Sequence, residues 1–289
     1  MQRLAFYFAY PFILLIASLP TRALYKVSDF LCYLLRVSGY RREVIEENLR
    51  NSFPVKSDAE IKAISKAYYR YLCDLILETL KTLTMTEEEA RERCVCHREE
   101  WMDNLYRENK SFVIVMGHYG NWEWAGPSFS LNIRHQLVVI YRPLSNPYFE
   151  RMMVGMRTRF GTSITPVSQT LRGMVANRQK ITATAFVADQ AAPQDTSCWA
   201  TFLNQDTSVF TGPEKLAKKF NYPVVYINLR RPRRGYYDMY FELMFPNPRD
   251  TADGEISEAF MKRLEKEIIS DPVPWLWSHR RWKHSRKTS

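Results

Sequence analysis

Beyond residue 107 the chain changes its period. Four short runs rich in β-branched and aromatic residues, Phe112 to Met116, Leu137 to Tyr141, Thr182 to Ala188 and Pro223 to Leu229, alternate with helical patterns at Asn146 to Phe160, Ser168 to Gln179 and Gly212 to Phe220. Parallel strands need a crossover to return the chain, so strands that alternate with helices predict a mostly parallel sheet with helices on its faces. Tyr236 to Met244 reads as a later, more exposed strand, because Asp238 and Glu242 interrupt its apolar residues. From Lys26 to Arg107 the apolar positions Ile61, Ile64, Tyr68, Tyr71, Leu72, Leu75 and Leu83 recur every three or four residues, which predicts helices, with Asp58 as an N-cap. The expected fold class is therefore α/β: a mostly parallel central sheet flanked by helices, preceded by a helical N-terminal region. At 289 residues this suits one domain, divided as an N-terminal helix over 1–25, a helical portion over 26–107 and an α/β portion over 108–289.

Leu4 to Leu19 is a run of sixteen residues without a charge. It is shorter than the roughly 20 apolar residues that a perpendicular bilayer span needs. Of a signal peptide, a buried core helix and a membrane-dipping anchor, the anchor accounts for most features. Tyr7, Tyr10 and Tyr25 suit the interface, while Arg22, Lys26, Arg36, Arg41 and Arg42 suit the cytosolic side. The segment is expected to be a membrane-anchoring helix.

The 41 Lys and Arg against 31 Asp and Glu leave a net charge of +10, which favours an anionic partner. Aromatic residues at 14% tilt that partner from nucleic acid toward an anionic membrane surface, where Trp and Tyr are at home. Five of the charges, Arg280, Arg281, Lys283, Arg286 and Lys287, gather at the C-terminus and would assist docking. The five cysteines form no paired ligand clusters, and His97, His135, His279 and His284 lack metal-ligand spacing, so no metal is expected. No Gly-rich nucleotide loop is present, so no nucleotide cofactor is expected either.

The chemistry concentrates in Gly117-His118-Tyr119-Gly120-Asn121-Trp122-Glu123, directly after the first strand. Ligand sites of such sheets lie off the carboxyl ends of the strands. Neutral imidazole titrates near working pH and can take a proton from an attacking alcohol, and Glu123 would stabilise the imidazolium. On one continuous helix the two side chains would diverge by about 140°. His118 therefore belongs in the turn, with Glu123 on the helix that follows.

Tyr141-Arg142-Pro143, Ala188-Asp189-Gln190, Phe210-Thr211-Gly212-Pro213 and the terminal Trp275-Leu276-Trp277-Ser278-His279-Arg280-Arg281-Trp282-Lys283 follow in order. With His118 and Glu123 this order resembles the lysophospholipid acyltransferase superfamily, in particular its bacterial lipid A late-acyltransferase branch, over almost the whole chain. The resemblance implies transfer of a fatty acyl chain from an acyl carrier protein or coenzyme A thioester to a membrane-lipid hydroxyl, at the cytoplasmic face of the inner membrane. It implies His118 as general base, Glu123 as its partner, Arg142 as a binder of phosphate or another anion, and Asp189, at the family's acidic position, as a substrate-binding residue. There the chain has Ala191 where the family often has a second acid. It also implies Thr211 and Gly212 at a helix N-terminus that helps hold a phosphate. The acyl thioester is then a co-substrate and no cofactor is needed. Oxyanion stabilisation falls to donors of the Gly117 to Asn121 turn, which puts Asn121 beside the substrate, or to Arg142. A lysophospholipid or amino-acid-linked lipid would suit the same motifs as acceptor. A non-catalytic basic membrane-binding protein is the rival of another class.

Overall fold

A computed structural model describes residues 2–192, 198–284 and 286. Lys287 therefore lies outside the described residues. Four helices come first: α1 (Gln2–Ser18), α2 (Thr21–Val37), α3 (Arg42–Ser52) and α4 (Asp58–Lys81). The cap of α4 is Ser57 rather than Asp58. Ser57 is extended, and it exchanges a capping box with Glu60, which a residue already in the first turn cannot do.

There follow α5 (Glu87–Arg93), β1 (Cys94–Cys96), α6 (Glu100–Arg107), β2 (Phe112–Met116), α7 (Trp122–Asn132), β3 (Gln136–Tyr141), α8 (Pro147–Thr158), β4 (Ser163–Pro166), α9 (Thr170–Ala176) and β5 (Thr182–Val187). A small hairpin of β6 (Cys198–Phe202) and β7 (Gln205–Val209) leads to α10 (Gly212–Phe220), β8 (Val224–Arg233), β9 (Tyr236–Phe245) and α11 (Glu255–Ser270).

Seven strands form the central sheet in the order β1-β9-β8-β2-β5-β3-β4. Every ladder in it is parallel except β8 with β9, which are joined by a tight turn. The α/β expectation holds in this form, with β1, β4 and the hairpin added. Successive side chains of a strand point to opposite faces, and β2 shows the result. Val113 and Val115 enter a core shared with α3, α4, α10 and α11, whereas Phe112, Ile114 and Met116 enter one shared with α5, α6 and α7. A strand apolar on both faces is what a sheet covered on both sides requires, and each fully buried side chain of this size contributes about 1.5–3 kcal/mol.

Helix α1 lies along this body. Phe6 stacks on Tyr148 of α8, and the Lys81 ammonium donates to the carbonyls of Ala17 and Leu19. Among the described residues no helix is long and apolar enough to cross a membrane.

Candidate active site

Strands β2 and β5 are parallel neighbours with Met116 opposite Val187. His118 and Asp189 each lie two residues past those ends, so the sheet itself brings them together across a sequence separation of 71. The Asp189 Oδ1 is 2.5 Å from His118 Nδ1, and its Oδ2 accepts the His118 backbone N–H at 2.9 Å and the Trp275 indole N–H at 2.8 Å. Burial pushes the Asp189 carboxyl up, but the neighbouring imidazole and these three donors outweigh it and hold the group below its ordinary range. A buried carboxylate on Nδ1 fixes the tautomer that leaves Nε2 as the acceptor. Gln190, next in sequence, places its side-chain amide 3.3 Å from that Nε2.

The turn before α7 is held from several directions. Gly120 has φ +63°, and a Cβ there would come within 2.6 Å of Leu229 Cβ, so only glycine fits. Its N–H donates to the Pro274 carbonyl at 3.1 Å, and its carbonyl accepts from the Tyr71 hydroxyl. Two of the turn's backbone donors, those of His118 and Gly120, are thus already engaged and are not free to hold an oxyanion.

Glu123 lies in the first turn of α7, as the sequence reading has it, but its carboxylate does not serve His118. It forms a two-point ion pair with Arg157 of α8, at 2.6 Å and 3.0 Å. The position nearest His118 in sequence is outcompeted by the one nearest in the sheet. Asn121 is wholly buried and caps α7: its Oδ1 accepts from Trp124 N–H at 3.0 Å and its Nδ2 donates to Glu78 at 2.8 Å. It is not among the residues that line the cavity beside His118. Both oxygens of Asp189, likewise, are already engaged by His118 and Trp275.

Beside His118 opens a cavity of about 590 Å³ between α7 and the sheet. Ile114, Ala125, Phe129, Leu137, Val139 and Ala185 make an apolar wall, and the polar lining includes His118, Glu123, Arg142, Arg157, Gln190, His279 and Lys283. Arg142, exposed past the end of β3, lines this cavity. Thr211 and Gly212 are not among its lining residues; Phe210 is. The start of α10 already carries Glu214, whose buried carboxylate accepts the N–H groups of Gly254 and Ser257, so an acidic side chain occupies the turn expected to hold a phosphate.

The C-terminal segment also departs from its reading as a basic surface. Trp275 and Trp277 are buried, and the Arg281 guanidinium is buried against the Ser208 carbonyl, which pushes its pKa down to about 10. Arg280, Lys283 and Arg286 remain exposed. The sequence reading includes Gln190, Trp275 and His279 in motif segments without giving them roles, and it misses Arg157, which carries no local signal.

The profile of the family described as bacterial lipid A biosynthesis acyltransferase matches residues 1–284. The chain is 24% identical over 248 residues to the lipid A biosynthesis palmitoleoyltransferase of Escherichia coli (strain K12), covering 84% of this chain and 79% of that protein. It is 22% identical over 274 residues to the lipid A biosynthesis lauroyltransferase of the same organism, covering 93% and 88%. With the lipid A biosynthesis acyltransferase of Haemophilus influenzae it shares 23% identity over 256 residues, covering 86% and 79%.

Proposed function

The chain belongs to the bacterial lipid A biosynthesis acyltransferase family and is an acyltransferase, and from that premise we propose that it moves a fatty acyl chain from a thioester to a hydroxyl of a lipid A precursor, with His118 as general base. Family membership sets the non-catalytic rival aside. The observation that carries the mechanism is the His118–Asp189 pair opening on an apolar-walled cavity.

The acceptor hydroxyl displaces the Gln190 amide from Nε2 and passes its proton to that nitrogen as its oxygen attacks the thioester carbonyl. Asp189 stays ionised and stabilises the imidazolium. The tetrahedral intermediate collapses with cleavage of the carbon–sulfur bond, and the imidazolium returns the proton to the leaving thiolate. No covalent acyl-enzyme is needed. Gln190 and the Arg142 guanidinium, both on the cavity, are the donors we assign to the developing oxyanion. The hydrocarbon chain of the donor lies along the apolar wall.

The net charge of +10 suits an acidic donor, and the sequence's lack of a Gly-rich nucleotide loop supports acyl carrier protein over coenzyme A. A membrane-lipid acceptor and the exposed apolar face of α1 support residence at the cytoplasmic face of the inner membrane. The test offers purified protein both thioesters with a lipid A precursor, a lysophospholipid and an amino-acid-linked lipid, and follows the ester product by mass. Product on the lipid A precursor with the carrier-protein thioester is expected. Product only on another lipid reassigns the acceptor, and product only from coenzyme A reassigns the donor.

A further inference from the structure

Helix α2 presents two apolar faces, and the body of the protein covers one of them. Leu24, Ser28 and Cys32 are buried toward α4. On the opposite side Phe30, Tyr33, Leu34 and Val37 are 62%, 63%, 45% and 68% exposed. At about 100° per residue these four fall within about 100° of arc, so they form one continuous stripe. Scattered exposed apolar residues need no explanation, but a contiguous helical stripe of them does.

The charges around the stripe identify what covers it. Arg22, Lys26 and Arg36 are exposed along the same helix. Its one exposed acid, Asp29, is neutralised by Arg70 at 3.2 Å and Arg234 at 2.8 Å. A twofold contact through this face would bring two sets of these cations into one interface. An anionic surface meets them favourably. Only Leu19 and Pro20 separate α2 from α1, and α1 carries a matching feature. Leu4, Phe8, Phe12 and Leu15 are exposed on one side of it, while Phe6 and Ala17 pack inward.

We infer that α2 is a second membrane-contacting helix, which lays Phe30, Tyr33, Leu34 and Val37 into the headgroup–acyl boundary of an anionic bilayer beside α1. Both helices then lie in the plane of the interface, held against the catalytic body by their inner faces. An apolar helix face flanked by Lys and Arg binds such a boundary by apolar burial and by attraction to anionic lipid together. Tyr33 suits the depth, since its ring carries an apolar body and a polar tip.

The inference rests on the membrane-lipid reading above, and flotation without any thioester tests it separately from turnover. Full-length protein is floated with vesicles of phosphatidylethanolamine and phosphatidylglycerol. The Phe30→Ser/Val37→Ser variant should need about tenfold more lipid for half-binding, the equivalent of about 1.4 kcal/mol. Its thermal midpoint and its turnover on detergent-dispersed acceptor should match the parent, and Val55→Ser, at an exposed apolar residue outside the stripe, should float like the parent. As a second measurement, an environment-sensitive dye on Val37→Cys, in a Cys198→Ser background, should shift to the blue on addition of vesicles and keep that shift at high salt. An unchanged lipid requirement together with an unshifted dye overturns the inference. So does a dimer in lipid-free buffer that Phe30→Ser/Val37→Ser dissociates while vesicle binding is unaffected, which would give the stripe to a second copy.

Discussion

Asp189 grips His118 twice, through the ring at 2.5 Å and through the backbone N–H at 2.9 Å, so one carboxylate sets both the tautomer and the place of the imidazole. Asp189→Asn keeps the shape and loses the charge that stabilises the imidazolium. We expect kcat to fall about 10²–10⁴-fold with KM little changed and the fold intact by circular dichroism. A near-normal kcat would remove Asp189 from the mechanism.

Glu123 acts, in this account, through Arg157. Removing either partner leaves the other charge unpaired in the cavity wall, so each alanine variant should lose activity. The losses should not add: the double variant Glu123→Ala/Arg157→Ala should lie within about threefold of the worse single variant, because residues in one network couple. Full additivity, read from kcat/KM across the cycle, would show that Glu123 acts on something else.

This pair shows what the sequence could and could not tell. β2 and α10 were legible to the residue, because an all-apolar run and a Gly-Pro start are local signals. Asn121 was legible as a cap, since Asn directly before a helix is a cap signal, and reading it as a substrate ligand overlooked that. β1, three residues long, and the β6–β7 hairpin, whose turn uses Leu203 and Asn204 at positive φ without glycine, offered no such signal. Asp189 reads from the sequence as a substrate-binding residue. Its pairing with His118 depends on β5 lying beside β2, a non-local register that no window of sequence contains.

Gly126 sits on α7 against the cavity, and a Cβ there would meet nothing nearer than Thr162 Oγ1 at 3.9 Å. Gly126→Ala should therefore stabilise the helix by about 0.5–1 kcal/mol, read as a higher denaturation midpoint. Gly126→Leu should fill the space of the acyl chain. At about 0.8 kcal/mol per methylene, two methylenes left unburied cost the longest accepted donor more than tenfold in kcat/KM relative to shorter ones. An unchanged chain-length profile in a folded Gly126→Leu protein would move the acyl chain out of this cavity.

Burial pushes the His279 imidazole down to about 4, and its Nε2 is buried without a partner among the described residues. A pKa below the unfolded value near 6.5 means the unfolded state takes up the proton first. This contribution to stability is complete above about pH 6.5 and is lost as pH falls toward 4, with a limiting slope of about 1.4 kcal/mol per pH unit. His279→Gln should flatten the decline in unfolding free energy across that window. An equally steep decline in the variant would place the titration on another group.

Single-turnover acyl transfer by His118→Gln, a substitution of similar size at a part-buried turn, tests the general-base role directly. Carrier-protein thioester and lipid A precursor would be mixed with excess enzyme and the ester product followed by mass, with folding checked in parallel. If His118 takes the proton of the attacking hydroxyl, the chemical step slows by about 10²–10⁴-fold while binding of the thioester persists. A folded His118→Gln protein that forms ester at the parent rate would remove His118 as the base.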